Sequence, residues 1–219
     1  MVRLLVLGGD RKFGTTKSKG MVIDQINLVS SLEIKKNNRG KVGLVMNNEY
    51  ASFDYDAFMI NGYFEHDVLC MLYALEPEKV WFNTPFDVFS SVDSYKQLLY
   101  AAKHKFSTSV EFSLQKGIKP VLNYQNIPGK TSQVVVFGMK SFILSDHGHI
   151  LLPRLDKMCR YFVRSMSLSF GTITLLWGTG YKEIFFKEFS PYIPISDLPV
   201  VHVITLLNAI EDKIRRISL

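Results

Sequence analysis

Cysteine is scarce in this 219-residue chain: Cys70 and Cys159 are the only two, each within an apolar pattern of helical spacing. That count excludes a disulfide framework, and the spacing excludes a cysteine metal site, so both read as buried thiols. Long hydrophobic runs are also missing. No window approaches the roughly 18 apolar residues that span a bilayer, and the apolar run after Met1 is too short for a signal peptide before it reaches Gly8-Gly9. The expectation is a cytoplasmic protein with no membrane partner. Neither a Walker sequence nor G-x-G-x-x-G is present, so Gly8-Gly9-Asp10, with Gly14 and Gly20 nearby, is only a weak phosphate-loop candidate. Ser145-Asp146-His147 are consecutive and do not make a triad by adjacency, and His147 with His149 lacks a third metal ligand at useful spacing. No repeat or low-complexity tract occurs.

Composition is that of a folded protein with a sizeable core, 47% hydrophobic and 21% charged. The formal net charge is +6. It gathers in Arg11, Lys12, Lys17 and Lys19 in a Gly/Ser/Thr loop, in Lys35, Lys36, Arg39 and Lys41 around Asn37-Asn38, and in Arg215-Arg216 at the end. A nucleic acid held by Arg11, Lys12, Lys35, Lys36 and Arg39 is one reading. Solvated loops and a helix C-terminus, where cations suit the dipole, is the favoured one.

The pattern along the chain predicts an α/β protein. Residues 2–7 read as a buried parallel strand, and 42–46, 57–60 and 80–83 as further strands, the last stopped by Thr84-Pro85. Val22, Ile23, Ile26, Leu28, Val29 and Leu32 recur at helical spacing, as do the apolar residues of 66–75 and 92–105. These alternations predict a small parallel α/β layer over 1–106. In the second half, 107–219, residues 141–144 and 150–152 form a hairpin candidate about Asp146-His147-Gly148-His149, and 155–168 a helix. Residues 170–177 and 183–189 read as paired strands, and 200–217 as a closing amphipathic helix.

Residues 119–144, KPVLNYQNIPGKTSQVVVFGMKSFIL, read as two strands bracketing an Ile-Pro-Gly-Lys turn. This segment resembles the LVQEYIPG-type strand and following R-x-V-V-V-G strand of ATP-grasp ligases, in the glutathione-synthetase-like and peptide-modifying branch. The order of Tyr55-Asp56-Ala57, the helix through Leu69 and Leu72, Asn83-Thr84-Pro85 and the helix bearing Lys96 is similar to the domain that precedes the ATP-grasp module there. The resemblance implies an N-terminal α/β layer followed by a truncated ATP-grasp-like α+β part. It also implies what has been lost. Gln125 stands where the family has a hinge Glu, and Gln133 where it has a phosphate-contacting Arg. Thr174 stands for the Asp of the first metal strand, Glu188 keeps the Glu of the second, and Ser190 replaces an Asn. Between Phe106 and Val121 there is too little chain for the antiparallel subdomain that carries the nucleotide lysines.

One carboxylate of the expected set makes a weak magnesium site, because Mg²⁺ takes its oxygens from carboxylates and substrate phosphates together. Glu183 and Asp197 are the nearby acids that could compensate. The preferred expectation is a degenerate, non-catalytic ATP-grasp-like protein with no cofactor, acting by binding a peptide or protein, such as an active ligase or a second copy of itself. The enzyme alternative is an ATP- and magnesium-dependent carboxylate-amine ligase in which Lys96, Lys130 and Glu188 hold the nucleotide and Glu188 the metal.

Overall fold

The computed structural model describes residues 1–9, 20–108, 110–113, 121–124, 129–144, 150–178 and 184–217. The candidate residues Arg11, Lys12, Lys17, Lys19, Gly14, Gln125, Asp146, His147, His149 and Glu183 lie outside them. Two compact units result, Met1–Val88 with Tyr192–Leu219, and Phe89–Pro191. This division differs from the expected 1–106 and 107–219, because the closing helix belongs with the first unit rather than the second.

In the first unit, β1 (Val2–Leu7) pairs with β2 (Met21–Ile26) on one side and with β6 (Ala57–Ile60) on the other. β7 (Val80–Phe82) completes a four-stranded, all-parallel sheet of order β2-β1-β6-β7. Leu4 through Leu7 and Ala57 through Ile60 are buried at every position, the signature of strands covered on both faces. A separate antiparallel sheet is made by β3 (Leu32–Lys36), β4 (Val42–Met46) and β5 (Tyr50–Ala51). Helix α1 (His66–Leu75) and the C-terminal helix Val200–Ile217 follow the expected periodicity. The helix expected over 22–32 is instead strand β2 and the connection to β3, which lies in a different sheet. Val22, Ile23 and Ile26 are β-branched, and β2 hydrogen-bonds along the full length of β1, so tertiary pairing overrides the 3.6-residue pattern.

Gly8 and Gly9 have a packing role. Both have positive φ, +79° and +108°, and a Cβ added at Gly62 would stand 2.2 Å from the Gly9 nitrogen. The loop after β1 lies against the loop after β6, and only glycine permits that approach.

The chain enters the second unit within α2 (Pro85–Ser91), a helix where the sequence suggested only a strand stop. Pro85 sits in its first turn, where the missing amide costs nothing. Then come α3 (Ser94–Lys103), β8 (Ser107–Thr108), β9 (Val110–Ser113), β10 (Val121–Tyr124), β11 (Gly129–Phe137), β12 (Lys140–Leu144), α4 (Pro153–Ser165), β13 (Phe170–Gly178) and β14 (Ile184–Ser190). Five strands form one mixed sheet of order β12-β11-β13-β14-β8, and β9-β10 form a separate antiparallel pair. The two strands of the 119–144 segment exist, but they belong to different sheets. The hairpin expectation is corrected too. Residues 141–144 pair with 133–136 through the Gly138-Met139 turn, while 150–152 are not a strand and lead into α4. Phe106, Phe162, Phe186 and Phe189 form the ring cluster between sheet and helix, with centroids 5.2–6.1 Å apart. Among the described residues no helix is long and apolar enough to cross a membrane.

Candidate functional site

Strand register puts the altered family positions in one row. Gln133 on β11 lies opposite Thr174 on β13, and Thr174 lies opposite Glu188 on β14. Directly opposed residues share a face, so an amide, a hydroxyl and a carboxylate stand side by side across three strands. A bulge between Thr174 and Leu175 follows immediately, and beyond it Leu175 faces Phe186. Thr172 opposite Ser190 continues the polar row by one step. The other face of the same strands carries Ile173, Leu175, Phe186 and Phe189, all buried.

Glu188 is exposed and has no ion pair among the described residues. Asp197, the compensating acid, lies in the other unit, in a 3-10 turn over Ile195–Asp197. Among the described residues, no group of three or more His, Cys, Asp or Glu is placed to hold a metal. Of the groups that the resemblance implies for a magnesium-bound triphosphate, the described row holds one carboxylate, Glu188, with Gln133 and Thr174 as neutral neighbours.

Register separates Lys130 from the row that holds Glu188, and Lys96 stands on α3. Lys130 opposes Trp177 and sits three positions from Gln133, an odd offset that turns its side chain to the opposite face of β11. Lys96, in the first turn of α3, donates from Nζ to Ser90 Oγ at 2.8 Å, and Asp93 caps that turn by accepting from the Lys96 amide. Its neighbour Gln97 has the more consequential position. Buried Gln97 donates from Nε2 to the carbonyls of Phe189 (3.0 Å) and Ser91 (2.8 Å), and its Oε1 accepts from the Phe189 amide at 3.2 Å. A side-chain amide thus completes the ladder of the strand that carries Glu188.

A second polar surface, missed in the sequence, lies on α4. Lys157, Arg160, Tyr161 and Arg164 are spaced i, i+3, i+4, i+7 and so share one helix face. With Met139 of the β11–β12 turn they line a shallow pocket of about 120 Å³. Asp156 fixes the turn to the helix, accepting from Ser141 Oγ and from Arg160 at 2.6 Å. Arg164 reaches the Met139 sulfur at 2.7 Å, and Arg160 lies 3.4 Å from the Met139 carbonyl oxygen. The ring of Tyr161 has Lys157 Nζ 5.7 Å from its centroid and is stacked with His104 at 6.4 Å. Ser165 Oγ donates to the Tyr161 carbonyl, which commits its proton and makes His104 Nε2 the donor in their 2.5 Å contact. Burial, and then the charge of Lys103, holds the His104 imidazole below its ordinary range. A pocket this small suits one side chain; a nucleotide-sized site begins near 300 Å³.

Two members of the second basic cluster, Lys35 and Lys41, are engaged in ion pairs. Lys35 pairs with Glu33 at 2.7 Å, and Lys41 with Glu76 and Glu78 at 2.7 and 2.8 Å. Asn37 Oδ1 accepts from the Arg39 and Lys41 amides, which explains the Asn37-Asn38 turn without a ligand.

No protein-family model and no curated protein matches the chain. Solved structures are similar to it. Macrocyclase MdnB from Microcystis aeruginosa MRC superposes with a TM-score of 0.70 at 16% identity, over 92% of this chain and 97% of that one. Macrocyclase MdnC of the same organism, bound with precursor peptide MdnA, gives 0.68 at 11% identity, over 94% and 100%. A RiPP-associated ATP-grasp ligase from Chryseobacterium gregarium, in complex with ADP and a leader and core peptide, gives 0.61 at 12% identity, over 87% and 89%. Identities this low speak for architecture and leave chemistry to the residues. This chain has an ATP-grasp-like fold.

Proposed function

We propose that this protein is a non-catalytic ATP-grasp-like chain that binds a peptide on the α4 face, an acidic peptide with a large apolar side chain. The observation that carries this reading is the α4 pocket: three cations, Lys157, Arg160 and Arg164, surround exposed Met139 and Tyr161, and Asp156 pairs with Arg160 beside them. A peptide carboxylate meets the arginines, and an apolar side chain covers Met139 and Tyr161. Similar solved structures that hold precursor, leader and core peptides lend support. Fluorescence anisotropy tests it with two labelled peptides that share one Phe-containing scaffold and differ in net charge. The acidic peptide is expected to bind about tenfold more tightly than the basic one, more weakly at high salt, and about tenfold more weakly to Arg164→Glu. Equal affinity for both peptides, or no effect of the substitution, would overturn the proposal.

The ligase reading rests on one observation, the exposed and unpaired carboxylate of Glu188 in line with Gln133 and Thr174. It requires the missing cations and acids to come from elsewhere.

A further inference from the structure

Strand β3 ends its sheet, and Glu33 through Lys36 are exposed, Ile34 to 62%. The hairpin it forms with β4 fixes which of its backbone groups are engaged. Asn37 N–H donates to the Lys41 carbonyl and Asn47 N–H to the Ser31 carbonyl, both at 2.9 Å. Antiparallel ladders alternate, so with Glu33 opposite Val45 and Lys35 opposite Gly43 the bonds to β4 fall on residues 31, 33, 35 and 37. Leu32, Ile34 and Lys36 therefore aim their N–H and C=O groups outward.

We propose that two copies of this chain join through β3, paired antiparallel about a two-fold axis at Ile34. In that register Ile34 faces Ile34 of the other copy, and Leu32 faces Lys36 on either side. All three outward-facing residues become hydrogen-bonded pairs, about six new backbone bonds in all. Between them lie the closely spaced non-hydrogen-bonded pairs, and there Glu33 of each copy meets Lys35 of the other on one face. The Glu33–Lys35 bridge within one strand is exchanged for two bridges between strands. Moving the axis by one residue puts Glu33 on Glu33, or Lys35 on Lys35, so charge selects the central register. The charge pattern is complementary to itself, which argues for a second copy over an unrelated strand. The same lysines discourage other edges from pairing here. This surface lies wholly within the first unit and does not depend on the α4 reading.

Sedimentation velocity from about 1 to 100 µM tests the pairing. The chain is expected to shift from monomer to dimer across that range. Glu33→Lys sets lysine against lysine and should weaken the dimer at least about tenfold. The exchange Glu33→Lys with Lys35→Glu restores opposite charges in the same register and should restore the dimer. Both positions are exposed, and matching thermal melts would show that the variants fold. A monomer throughout the range, a dimer indifferent to Glu33→Lys, or no recovery in the double variant would overturn the proposal.

Discussion

Lys96 and Gln97 are neighbours in sequence with opposite roles. Lysine drew attention as a phosphate ligand, yet its ammonium reaches a serine on the preceding helix, whereas Gln97 closes the backbone of β14. Nothing in the sequence separates them except burial, which depends on how α3 docks. Removing Gln97 by Gln97→Ala leaves the Phe189 amide and carbonyl unpaired and should cost about 2–3 kcal/mol in urea unfolding. Lys96→Ala should change stability by about 0.5 kcal/mol or less. Glu76 gives a second residue-scale case. Its carboxylate is fully buried, with Oε1 accepting from Ser52 and Oε2 facing Lys41. Burial pulls the Lys41 ammonium down, but the hydrogen bonds to Glu76 and Glu78 outweigh it and raise the pKa. Lys41→Met leaves an uncompensated buried carboxylate, and denaturant titration should register a loss of about 3 kcal/mol.

Elements with a continuous apolar run or a clear helical stripe were legible: β1, β4, β6, α1, α3 and the C-terminal helix all stand where the pattern puts them. β2 was not, because a half-buried edge strand with Asp24 and Gln25 in its middle has no period-two pattern. Its identity comes from pairing with β1, and Asp24 is used there, accepting from Arg3 and Tyr55. The α4 surface was hidden for another reason. Its basic residues follow helical spacing as regularly as its apolar ones, and the apolar stripe marks the helix without marking the face that the Met139 turn completes. His104 ties α3 to α4 and carries a pH prediction. Its folded pKa is depressed, so the unfolded chain takes the proton first as pH falls below about 6.5. Stability should be fully present above that pH, decline as pH drops toward the folded pKa, and level off below it. His104→Gln should flatten that decline in urea midpoints measured from about pH 7 to 5.

For the whole molecule, the resemblance of residues 119–144 to ATP-grasp ligases, with a similar order of elements before them, indicated an ATP-grasp-like architecture, and the solved structures agree on the fold. The site was legible in a different sense. Gln133, Thr174 and Glu188 were picked out one by one, and strand register aligns them into a single row, while Lys130 falls on the other face of the sheet. Sequence spacing could not reveal that, because a face is decided by register across strands distant in the chain. What the row retains, among the described residues, is one carboxylate beside two neutral groups. Calorimetric titration with ATP and Mg²⁺ at millimolar concentration puts this to the most direct test. No saturable heat is expected, from the wild-type chain or from Glu188→Ala. Saturable binding to the wild type that disappears in Glu188→Ala would contradict the non-catalytic reading and restore this row as a nucleotide site.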